Sequence, residues 1–176
     1  MVAGRKPALA VENFLAPLRR AISCVTDAVI NVGGGYHEGK EHALALAGGK
    51  PVPLAGACGL SIVVVQRYKV VEAEGRRGPW KVHTLEYAYS LHNSNGPLMA
   101  YHWHPSHTID FPHLHLYQAE VSKCHLPTNR VSLEEVLRMA IIDLGAKPIR
   151  DDWEDILKAS QDAHEQWRTW PTVTST

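Results

Sequence analysis

Apolar and polar residues alternate most clearly over residues 80–92, where Leu85, Tyr87, Tyr89 and Leu91 fall on one side. A two-residue period is that of a strand with one buried face. Residues 61–74 are rich in Val and predict a neighbouring strand. Asn93-Ser94-Asn95-Gly96 follows and predicts a hairpin, since Asn and Gly tolerate the backbone of a tight turn. A third strand is expected over 98–104 and a fourth over 111–119. The residues from Gly75 to Pro79 read as the turn before the second strand.

The period changes to a helical one at both ends. Near the N-terminus, Phe14, Leu15, Leu18, Ile22, Val25 and Val29 have roughly helical spacing. Pro17 lies among them, so a helix is expected to start near it rather than run through it. The rest of residues 1–60 reads as a Gly- and Ala-rich loop extension, and Gly33-Gly34-Gly35 lacks the signature of a phosphate-binding loop. Toward the C-terminus, Ser132-Leu-Glu-Glu135 is a capping box. Val136, Leu137, Ala140, Ile141 and Leu144 continue the apolar stripe to Gly145. A second helix follows Pro148, capped by Asp151 or Asp152 and lined by Trp153, Ile156, Leu157, Ala163 and Trp167. The expected fold is α+β, one domain: an antiparallel meander of about four to six strands (61–121) packed against N- and C-terminal helices (1–60 and 131–170).

Composition adds limits. Among 176 residues, 18 Lys+Arg balance 18 Asp+Glu, which removes a global basic excess. The balance is an average: residues 61–130 hold seven bases against five acids, and residues 131–176 hold nine acids against five bases. No stretch approaches the roughly 20 apolar residues of a membrane helix, so no membrane partner is expected. Cys24, Cys58 and Cys124 form no CxxC pair, and a reducing cytoplasmic setting is the default.

Histidine changes the picture most. Eight of the 11 (83, 92, 102, 104, 107, 113, 115, 125) lie within 43 residues, where even scattering would place fewer than three. His102-Trp-His104 and His113-Leu-His115 each put two imidazoles on one strand face. A hairpin pairing His104 with His113 and His102 with His115 gathers all four, with Tyr117 beyond them. Tyr101, Trp103, Leu114 and Leu116 then take the other face. Whether the His face is also the Leu85–Leu91 face depends on a bulge near Gly96-Pro97, which reverses the parity.

Three readings of the cluster stay open. The first is general acid–base catalysis by His102, His104, His113 and His115 on a phosphodiester of RNA or a nucleotide, with Tyr117, Tyr101 or Arg130 holding the phosphate. The second is a divalent transition metal such as zinc on His113, His115 and Glu120. The third is a structural ladder in a non-catalytic interaction module. Two known patterns fail: Tyr117 replaces the last histidine of an HxHxH triad, and His125 follows His115 too soon for a cupin. Free imidazoles would also gain charge near pH 6.5, making the segment a pH-dependent anion site.

The motifs Tyr87-Ala-Tyr-Ser-Leu91, Tyr101-His-Trp-His-Pro105, Phe111-Pro-His-Leu-His115 and Ser132-Leu-Glu-Glu-Val-Leu137 together resemble the TumE-like group of small bacterial toxin–antitoxin proteins, over about residues 61–145. The resemblance implies an intracellular bacterial protein acting on RNA, with a cognate antitoxin partner. The matched positions are His102, His104, Phe111, Pro112, His113 and His115.

Overall fold

The computed structural model describes residues 3–56, 59–73, 80–105, 109–117, 122 and 124–166. Three helices flank one antiparallel sheet of eight strands. Helix α1 is Pro7–Ile22, and strands β1 (Ile30–Gly33), β2 (Glu41–Leu46) and β3 (Val52–Pro53) follow it. The centre of the sheet is β4 (Ser61–Glu72) and β5 (Trp80–Asn93). Strands β6 (Gly96–Trp103), β7 (His113–Leu116) and β8 (Leu126–Pro127) extend it, and α2 (Leu133–Ile142) and α3 (Trp153–Gln166) close the chain. The strand order is β1-β2-β4-β5-β6-β7-β8, with β3 beside β2 on the same edge of β4. The α+β meander between terminal helices is therefore the architecture observed.

Two local expectations need correction. Residues 30–53, read as loop, supply three strands. Their apolar pattern is short and broken by glycine, and pairing with the long β4 is what stabilises it. Helix α1 also runs through Pro17 and starts at Pro7, whose missing N–H suits the first turn. An interior proline costs about 3 kcal/mol. Here Phe14, Leu15, Leu18 and Ile22 are all buried on one face, and each contributes about 1.5–3 kcal/mol. Burial outweighs the lost hydrogen bond.

The helices all serve one face of the sheet. Val64, Tyr68, Val70, Val82, Tyr87, Tyr89, Leu91 and Trp103 join the residues of α1, α2 and α3 in a single core. Leu85 is not among them. The register steps from Arg67↔Glu86 to Tyr68↔Thr84, so Leu85 is the extra residue of a bulge. The inward set is Val82 and Thr84 before it, then Tyr87, Tyr89 and Leu91 after it.

The C-terminal helices follow their signals. Ser132 Oγ accepts the Glu135 N–H at 3.2 Å, and Glu135 accepts the Ser132 N–H at 2.6 Å. Gly145 takes the positive φ (+79°) expected after the helix end. Trp167, Cys58, His107, residues 118–121 and the Gly75–Pro79 turn lie outside the described residues. Among the described residues, no helix is long and apolar enough to cross a membrane.

Candidate metal centre

The Asn-Gly turn decides where the histidines point. Asn93 pairs with Gly96, and Asn93 Oδ1 accepts the Asn95 N–H at 2.8 Å. His92 then pairs with Pro97 but Leu91 with Met99, leaving Leu98 as an extra residue. This bulge reverses the alternation. Met99, Tyr101 and Trp103 lie opposite Leu91, Tyr89 and Tyr87 on the helix-covered face. His102 lies opposite Ala88 on the face away from the helices.

The next hairpin brings the second HxH pair to the same side. His102 pairs with His113, and Ala100 with His115. This differs by two residues from the expected His104–His113 pairing. A shift of two preserves the face, so the rings still gather. The separations between ring centres are 5.0 Å for His102–His115, 5.7 Å for His102–His113, 5.1 Å for His104–His113 and 5.0 Å for His113–His115.

A fifth ring joins them. Strand β8 pairs with β7 through Pro127↔His113 and Leu126↔Leu114, and this carries His125 to 4.4 Å from His115 and 4.9 Å from His113. His125 was outside the expected site because nothing in its own spacing marks it. Its nearness in sequence to the two HxH pairs was the available signal.

His113 has a fixed tautomer. It is fully buried, and its Nδ1 lies 3.0 Å from the carbonyl oxygen of Phe111. A carbonyl only accepts, so Nδ1 carries the proton. That leaves the lone pair on Nε2, which is buried without a hydrogen-bond partner among the described residues. Ligand nitrogens of His102, His113 and His115 all lie within 4.8 Å of one another. Bonds of about 2.0–2.1 Å to a tetrahedral ion set ligand nitrogens about 3.3 Å apart, so closing the set needs about 1.5 Å at most between any pair.

Three of the rings resist protonation. Burial, then the neighbouring His115, His113, His104 and His125, push His102 down to about 4. Burial and neighbouring imidazoles also lower His113, against the opposing hydrogen bond to Phe111, and lower His115. These three rings are therefore neutral at pH 7, the form that ligates metal. For these three the expected charging near pH 6.5 moves lower, because that value belongs to solvated imidazole.

The remaining expected residues divide. Tyr117 stacks on His115 with ring centres 6.0 Å apart and is partly exposed. Arg130 packs on Trp103. Its guanidinium carbon lies 3.9 Å over the ring of Trp103, whose side chain takes the opposite face of β6 from His102. Glu120 lies outside the described residues, so the observed three-residue set holds His102 in addition to His113 and His115. His83 faces Lys69 and His92 faces Ser61 further along the sheet. No family model, no curated protein and no solved structure matches the chain.

Proposed function

We propose that the histidine cluster is a transition-metal site, with His102, His113 and His115 as ligands and His125 beside them as a fourth imidazole. The observation that carries this reading is His113: a buried imidazole whose proton is held on Nδ1 while Nε2 keeps an unshared lone pair. An orienting hydrogen bond from the non-ligating nitrogen is the usual second contact of a metal-bound histidine. Uncharged nitrogen donors suit zinc, nickel, cobalt or copper better than magnesium or calcium. A divalent ion held by His102, His113 and His115 would supply Lewis-acid chemistry to an oxygen ligand. Elemental analysis and cobalt titration test this: one equivalent per chain, with a d–d band that a His113→Ala/His115→Ala double variant loses. Failure of the folded wild-type protein to take up zinc, cobalt or nickel at saturating concentration overturns it.

A second reading keeps the same residues and adds a substrate. In it the protein is a cytoplasmic toxin-type enzyme acting on an RNA or nucleotide phosphodiester, held in check by an antitoxin. Tyr117 favours it, since a phenol stacked on His115 gives the site a hydrogen-bond donor for a phosphate oxygen. Acid–base cleavage without metal needs one protonated and one neutral partner, and the lowered His102, His113 and His115 supply mainly the neutral one. RNA cleavage in excess chelator, lost in the double variant, supports the metal-free form of this reading.

A further inference from the structure

A second polar site lies on the other side of the sheet, inside the protein. Glu134 of α2 is fully buried. Its Oε1 accepts from Ser160 Oγ at 2.5 Å and from His164 Nδ1 at 3.2 Å, both on α3. Ser160 and His164 stand four residues apart, so one face of α3 grips one carboxylate oxygen. The other oxygen, Oε2, is buried with no partner among the described residues. The same holds for His164 Nε2 and for Gln66 Oε1 on β4, whose amide N–H donates to Thr84 Oγ1 at 2.8 Å. Glu134, His164 and Gln66 line one small cavity, walled by Phe14, Leu18 and Tyr89. Each of the three residues is at least nine-tenths buried.

Burying a polar atom without a partner costs about 1–3 kcal/mol, and three such atoms belong to residues that line this one cavity. Their chemistry is one-sided. Glu134 Oε2 and Gln66 Oε1 are acceptors only. With Nδ1 donating to Glu134, His164 Nε2 is an acceptor when the ring is neutral and a donor only when it is protonated. A water molecule fits when His164 is protonated, accepting from Nε2–H and donating its two O–H groups to Glu134 and Gln66. An ammonium ion fits when the ring is neutral, since its N–H groups reach all three acceptors. The cavity has room for about one molecule of water size.

We propose that this cavity is a binding site for one small hydrogen-bond donor, a water molecule or an ammonium ion, held by Gln66, Glu134 and His164. The guest joins β4 to α2 and α3, tying the helix pair to the sheet through an atom that belongs to neither. The two sources share size and donor chemistry and differ in charge, which separates them by experiment.

Water is tested by oxygen-17 relaxation dispersion on the full chain. The expected result is one fewer long-lived internal water in Gln66→Met than in wild type, and the same loss in Glu134→Gln. Ammonium is tested by thermal unfolding in ammonium chloride against potassium chloride at equal concentration. A rise in Tm specific to ammonium, abolished in Glu134→Gln, assigns the guest as ammonium. Near-ultraviolet circular dichroism identifies the folded variants, and Gln66→Met, which keeps side-chain length, carries the test if Glu134→Gln does not fold. An unchanged count of long-lived waters together with identical Tm in the two salts overturns the proposal.

Discussion

Removing His164 strips a buried carboxylate of one of its two hydrogen-bond donors. Glu134 is fully buried, and His164→Ala deletes the contact at 3.2 Å while Ser160 at 2.5 Å remains. Leaving a buried acceptor without its donor costs about 1–3 kcal/mol, and more when the acceptor is charged. The charge on Glu134 sets the expectation at the upper end, about 3 kcal/mol. For a chain of this size each kcal/mol lowers Tm by about 2–4 °C, so Tm should fall by roughly 6–12 °C. Urea unfolding at pH 7 measures the cost directly. The double variant His164→Ala/Glu134→Gln should recover part of it, because no unpaired charge is left. A second arm is pH. Burial pulls the Glu134 carboxyl upward, but the bonds from His164 and Ser160 prevail and hold it below its ordinary value. A carboxyl lowered by folding stabilises the protein above its unfolded pKa, and the benefit fades as pH falls through the lower folded value. The gap between wild type and Glu134→Gln should therefore narrow below about pH 4.5. A cost under about 1 kcal/mol for His164→Ala, or no recovery in the double variant, would refute the claim that the pair is coupled.

Further outcomes follow from particular residues. Ser132→Ala removes the cap of α2 and should cost about 1 kcal/mol in urea unfolding. Gly4→Ala should cost about 1–3 kcal/mol, because a Cβ there runs into the Ala10 nitrogen, and backbone cannot swing aside as a side chain can; its Tm measures this. Phe14→Ala should cost about 3–5 kcal/mol, since Phe14 packs at 5.6 Å against both Tyr68 and His164. His102→Ala should weaken cobalt uptake at least tenfold by spectroscopic titration while leaving Tm of the metal-free protein within a few degrees.

What could be read in advance was local. The alternation at Tyr87, Tyr89 and Leu91, the Asn-Gly turn and the capping box each depend on a few adjacent residues, and each is found as expected. The HxH pairs also gather, because a two-residue shift of register does not change the face. The features that escaped are those set by distant partners. Strands β1–β3 exist because β4 offers an edge, and α1 passes Pro17 because core burial outweighs a local penalty. Leu85 leaves the inward row because β4 lacks a residue to match it. His125 joins the cluster only because β8 docks on β7, a contact no spacing encodes.

The bulge at Leu98 makes the sheet a partition. The imidazoles of the cluster occupy one side, and the packing that holds the chain together occupies the other. Substitutions on opposite sides share few neighbours, so their effects on stability should add rather than interact. The chemistry of the open side can then drift, gaining or losing a ligand, without endangering the fold beneath it. One unpaired residue in a hairpin thus separates what the molecule can become from what keeps it folded.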